Sequence, residues 1–87
     1  MKIKDGYMLR EVAGNSVVVA VGKATLDFNG LITLNSTGAF LWKLLVKGSS
    51  EEALLTAMLD EYEIDEAVAK TDIAEFIDKL KGADLIA

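Results

Sequence analysis

Eighty-seven residues with a formal net charge of −5 and no cysteine, histidine or proline already exclude much. The length suits one domain, 1–87; without cysteine there is no disulfide, thiolate metal site or thiol nucleophile, and without histidine the commonest general base and zinc ligand are missing. No apolar run approaches the roughly 18 residues of a membrane span, and the start MKIKDGYMLREV lacks an apolar core leading to a cleavage site, so a cytoplasmic protein is expected.

Tyr7–Val12 and Ser16–Val21 are rich in Val, Leu and Tyr, with Gly14-Asn15 between them. Glycine followed by asparagine signals a type II′ turn, because glycine supplies the positive φ of the first turn position, and the two runs are read as a hairpin. Val17–Val21 does not alternate, which predicts a strand covered on both faces. Residues 22–30, GKATLDFNG, are read as a loop whose Phe28 packs on the core. The alternative is a second hairpin, in which Asn29-Gly30 turns Thr25–Phe28 back onto the next run. Leu31–Leu34 is a strand, and an edge strand, since no later strand is in prospect to cover it.

Three helices follow. Asn35 or Ser36 caps the first through a side-chain oxygen that accepts an orphan N–H. Leu41, Leu44 and Leu45 form its apolar stripe, Phe40 and Trp42 widen it, and Gly48 ends it. Ser49 with Glu52 spells a capping box for the second helix, whose apolar face is Leu54, Leu55, Met58, Leu59 and Tyr62. Asp65 is read as the cap of the third, from Glu66 to about Lys81, with Ile73, Phe76, Ile77 and Leu80 as its stripe. Lys79 and Lys81 suit its C-terminal dipole, and Gly82 is read as a left-handed terminator. Leu85-Ile86 is expected to fold back on the core.

The expected fold is therefore α+β: a three-stranded antiparallel N-terminal sheet followed by three helices, a winged helix-turn-helix-like order. Charge is split along it. Residues 1–49 carry net +3 and residues 50–87 net −8, so the helical half is a poor match for nucleic-acid phosphates and a better one for a basic peptide or a protein surface. Neither serine next to the second helix has a histidine to activate it, and the acid-rich turn from Asp60 to Glu66 lacks the alternating oxygens and central glycine of a calcium loop. No phosphate-binding glycine motif is present. Neither catalysis nor a bound cofactor or metal is expected. Trp42 reads as a core residue, and Glu75 with Lys79 as an i, i+4 pair on a solvated face.

At LNSTGAFLWKLL, then Gly48, then SSEEALLTAMLDEYEID, then FIDKLKGADLI, the chain resembles the PqqD family over residues 4 to 86. Leu34-Asn35-x-Thr37-Gly38-Ala39 with Trp42, and Phe76-x-x-x-Leu80 leading to Leu85, carry most of the likeness. DFNG ahead of ITLN looks like the stand-alone members. The resemblance implies a recognition module that holds the leader of a ribosomally made precursor peptide and presents it to a maturation enzyme, often a radical SAM enzyme. In that family the leader adds to the third strand and lies against the third helix. By position, the implied peptide-binding residues are Leu31, Ile32, Thr33 and Leu34 on one side and Asp72, Glu75, Phe76 and Lys79 on the other.

An uncovered strand edge fits such a role, because an added peptide strand satisfies its main-chain groups. The same edge could pair with a second copy. Two other readings stand beside it, a winged-helix DNA-binding regulator and a structural accessory subunit of an enzyme. The first of these needs a basic recognition helix, whereas the second helix here has Glu51, Glu52, Asp60 and Glu61 and no basic residue.

Overall fold

A computed structural model describes residues 1–22 and 32–86. Strands β1 (Tyr7–Val12), β2 (Asn15–Ala20) and β3 (Ile32–Leu34) precede helices α1 (Ser36–Lys47), α2 (Glu51–Glu61) and α3 (Glu66–Gly82). The sheet is antiparallel in the order β1-β2-β3. This is the expected α+β arrangement, and its order fits a winged-helix-like layout. The undecided stretch Thr25–Phe28, and Leu31, lie outside the described residues. No described helix is long and apolar enough to cross a membrane.

The first hairpin forms where expected but turns one residue earlier. Val12 faces Asn15, leaving Ala13-Gly14 as the turn, with φ of 52° and 82°. Positive φ at both positions is type I′ geometry, not the type II′ turn read from Gly14-Asn15. Asn15 instead opens β2. Both primed turns suit the twist of the flanking strands, so twist does not decide between them; the observed register has a local cost, since alanine carries a Cβ into the left-handed region. In β2, Val17 and Val18 are both buried although they point to opposite faces. This agrees with the absence of alternation in the sequence.

The core is one cluster running through every layer. Val18 and Leu34 from the sheet meet Leu41, Trp42 and Leu45 of α1, Leu54 and Met58 of α2, and Ile73, Phe76, Ile77 and Leu80 of α3. Trp42 is 1% exposed, a core residue as the helical spacing implies. Each fully buried leucine contributes on the order of 1.5–3 kcal/mol. Leu59, expected on the inner face of α2, is exposed, since only Leu54 and Met58 of that helix point fully inward.

The helix ends show how far capping could be read. Asn35 Oδ1 accepts from the Gly38 N–H at 2.8 Å, which settles the cap of α1. Gly48 ends it, with φ of 97°. The cap of α2 is Ser50, whose Oγ accepts from the Ala53 N–H at 3.1 Å, and not Ser49 in a box with Glu52. Two adjacent serines offer the same chemistry, and the main chain selects one: the Ser49 N–H donates to the Met1 carbonyl, tying that residue to the N-terminal segment. Asp65 takes the cap position of α3 without a side-chain bond.

At the end of α3 the left-handed residue is Asp84 (φ 59°), not Gly82, which stays helical. The Leu85 N–H donates to the Leu80 carbonyl and the Asp84 N–H to that of Lys81, the paired bonds of a Schellman motif. This places the fully buried Leu85 on the core, so the tail folds back as expected. Asp84 also meets Lys4 Nζ at 2.7 Å. The Ile3 N–H donates to the Leu45 carbonyl and the Lys4 N–H to that of Leu85. Ile3, 5% exposed, is a core residue that no periodicity announced.

Both left-handed positions bear on stability. Ala13→Asn, which suits left-handed backbone better, should raise unfolding stability by about 0.5–1 kcal/mol, read from the urea midpoint. Asp84→Val should lower it by about 1–2 kcal/mol through backbone strain. Asp84→Asn should change it by less than about 1 kcal/mol, because the ion pair with Lys4 is solvent-exposed.

Candidate functional site

Which main-chain groups of β3 face outward follows from the register. Val12 and Asn15 close a two-residue turn and so exchange main-chain bonds, and alternation gives Arg10–Val17 and Met8–Val19 the same status. Val17 thus directs its N–H and C=O toward β1. Its neighbour across β2–β3 is Thr33, which is therefore a non-hydrogen-bonded partner. Ile32 and Leu34 exchange bonds with Val18 and Ser16, while the N–H and C=O of Thr33 point away from the sheet. A side-chain contact agrees: Lys79 Nζ of α3 reaches the Thr33 carbonyl oxygen at 3.4 Å. Among the described residues no strand pairs with this edge.

That contact spans the mouth of an open groove of about 380 Å³ between β3 and α3. Thr33 and Leu34 form one wall; Asp72, Glu75, Phe76 and Lys79 form the other. The spacing of α3 explains the second wall. Its inner stripe carries Ile73, Phe76 and Leu80 into the core, and Asp72, Glu75 and Lys79 sit just beside that stripe, exposed. Phe76, 8% exposed, belongs to the core and also lines the groove. Lys79 makes no ion pair with Glu75; among the described residues the one ion pair is Lys4–Asp84.

The start of α1 also lines the groove, through Asn35, Thr37, Gly38 and Leu41. A Cβ on Gly38 would lie 3.3 Å from both the Leu34 Cβ and Asn35 Oδ1. Glycine there spares a tight contact at the joint where α1 leaves the strand with no linker. These four residues were not among the sequence-derived site. Thr37 and Gly38 carried a signal in the LNSTGA motif, but nothing local told that the motif fronts a groove.

Of the eight residues singled out, six meet around this groove. Ile32 lies beside it in β3, half-buried against the core, and is absent from the groove wall. Leu31 is outside the described residues. The two walls carry two carboxylates and one ammonium, with an aromatic edge between them and one outward N–H and C=O. Nothing there pairs a nucleophile with a base, and no cluster of described residues could hold a metal ion.

Compared with known protein families, residues 15–86 match PqqD, coenzyme PQQ synthesis protein D. The chain belongs to the PqqD family. Among solved structures, this PqqD-family chain is similar to TbiB1, whose structure is a complex with the TbiA(beta) leader peptide. The two share 24% identity and a TM-score of 0.76, over 98% of this chain and 93% of TbiB1. It is similar also to a lasso peptide synthetase B1 complexed with its leader peptide, at 21% identity and a TM-score of 0.74, over 97% of this chain and 93% of that one. At these identities the likeness is one of fold. No curated protein matches the sequence.

The register makes a sharp prediction about proline. Thr33→Pro should leave the cooperative fold nearly intact, because it removes an N–H that faces away from the sheet. Ile32→Pro or Leu34→Pro should each cost about 1–3 kcal/mol, because each leaves a carbonyl of β2 without its donor. Urea unfolding of the three variants checks the order; equal losses would show that the register has been misread.

Proposed function

We propose that this chain is a non-catalytic recognition module, 1–87 as a whole, that binds the leader of a ribosomally made precursor peptide by strand addition. It would work in the cytoplasm and present the peptide to a separate maturation enzyme, of the radical SAM class in the family's usual pattern. The observation that carries the reading is the outward N–H and C=O of Thr33 at the mouth of a groove walled by α3. An extended peptide laid beside β3 satisfies both groups at once, and its side chains on one face meet Leu34, Phe76 and the charged flank of α3. Two proteins with the same fold are seen in complex with leader peptides, which supports a leader as the ligand.

Strand addition divides the labour within the site. Main-chain bonds at Thr33 give affinity regardless of sequence, while Asp72, Glu75, Phe76 and Lys79 sort the side chains. Ile32 contributes by holding β3 to β2. A second copy pairing through β3 would occupy the same edge, so peptide and homodimer compete. A DNA-reading role is disfavoured by the exposed acids Glu51, Glu52, Asp60 and Glu61 along α2.

An amide-shift titration of the labelled protein with leader peptides encoded beside its own gene tests this. Shifts should concentrate on β3 and on the flank from Asp72 to Lys79, and Thr33→Pro should weaken binding about tenfold, the equivalent of 1.4 kcal/mol. Binding that is indifferent to Thr33→Pro would overturn strand addition at this edge.

A further inference from the structure

Asp72, Glu75 and Lys79 follow one another along the α3 wall of the groove. In the peptide-free chain Lys79 Nζ rests on the Thr33 carbonyl at 3.4 Å, a long bond and so a weak one. An added strand brings a main-chain N–H to that same carbonyl, shorter and better aligned. The ammonium is displaced at the moment the peptide docks, and it then stands directly over the incoming strand. Glu75 lies one turn back along α3 and Asp72 about one further turn back, both lining the same groove. Phe76 lines the same groove from the core stripe of α3.

Resting on the strand-addition reading, we propose that the groove selects leaders carrying an acidic side chain and a basic side chain two positions apart on the face toward α3. The acid sits over Lys79 and the base over Glu75 and Asp72. For a peptide strand laid along α3, the spacing follows from the two periodicities. Four helical residues rise about 6 Å, from Glu75 to Lys79, and two residues of an extended strand span about 6.7 Å. Residues two apart on a strand also share a face, so both charges look at α3 together. An apolar residue on the same face packs against Phe76 and Leu34. Asp72 lies about 10.5 Å from Lys79 along the helix, within reach of a long lysine or arginine that overshoots Glu75. Lys79 thus acts twice: it covers the exposed carbonyl while the groove is empty, and it reads a carboxylate when the groove is filled.

The test uses a displayed library of random twelve-residue peptides, selected in parallel on the wild-type chain, on Thr33→Pro and on the double variant Glu75→Lys with Lys79→Glu. All three positions are exposed, and thermal unfolding confirms that each variant is folded before selection. Peptides retained by the wild type and lost on Thr33→Pro should be enriched in an acid and a base two positions apart. The double variant, unchanged in net charge, should prefer the same peptides with the two charges exchanged. Each swap should be worth about three- to tenfold in affinity, shrinking at high salt as exposed pairs do. Thr33-dependent peptides without that order, or an order indifferent to the double variant, would overturn the charge selectivity and leave strand addition standing. If no enriched peptide depends on Thr33, strand addition falls with it.

Discussion

The direct joint between β3 and α1 is the constraint on which the rest depends. Leu34 ends the strand, Asn35 caps the helix through its bond to the Gly38 N–H, and Ser36 is already helical. With no linker, the direction of α1 is set by the strand that feeds it. A tightly fixed α1 brings Leu41, Trp42 and Leu45 onto the sheet, and leaves α2 and α3 to close the remaining side. Gly38 relieves the joint, because a side chain there would press on Leu34 and Asn35 and require them to give by a few tenths of an ångström.

The same joint produces the site. Because α1 turns away at Leu34, it lines the groove without covering the edge of β3. Because α3 completes the core from the other side, its inner stripe is anchored by Ile73, Phe76 and Leu80, and the residues flanking that stripe fall opposite the edge. The groove is a consequence of packing the helices against the sheet with α3 opposite the β3 edge. Rigid elements, not loops, form both described walls, and this suits main-chain recognition, where the position of an N–H and a C=O matters more than any particular side chain.

The chain's two ends reinforce that frame. Ile3 and Lys4 donate main-chain bonds to Leu45 and Leu85, so the segment before β1 fastens the end of α1 to the tail beyond α3. The Schellman turn at Asp84 aims Leu85 inward, and the opposite wall of the core, with α3 on it, is held at a fixed distance from the sheet. A groove lined by α3 keeps its width only if α3 cannot drift. The turn and the bridge at the termini, far from Thr33, therefore belong to the physical account of the site.

The sequence by itself determined the element order, the helical stripes, the burial of Trp42 and Phe76, and the flank from Asp72 to Lys79, because these depend on local propensity and on periods of 2 and 3.6 residues. The family resemblance added the pairing of that flank with the third strand. Tertiary structure alone decided which local option was taken: Ala13-Gly14 over Gly14-Asn15, Ser50 over Ser49, Asp84 over Gly82. Ser49 and Ser50 offer the same chemistry, whereas the two turns place a residue other than the locally favoured one at positive φ. It also decided which residue of β3 faces out, since that rests on a hydrogen-bond phase carried from the first hairpin across β2. The buried place of Ile3 was likewise invisible, because a single residue has no period. Only when Lys79 meets Thr33 does a charged helix flank become one wall of a groove.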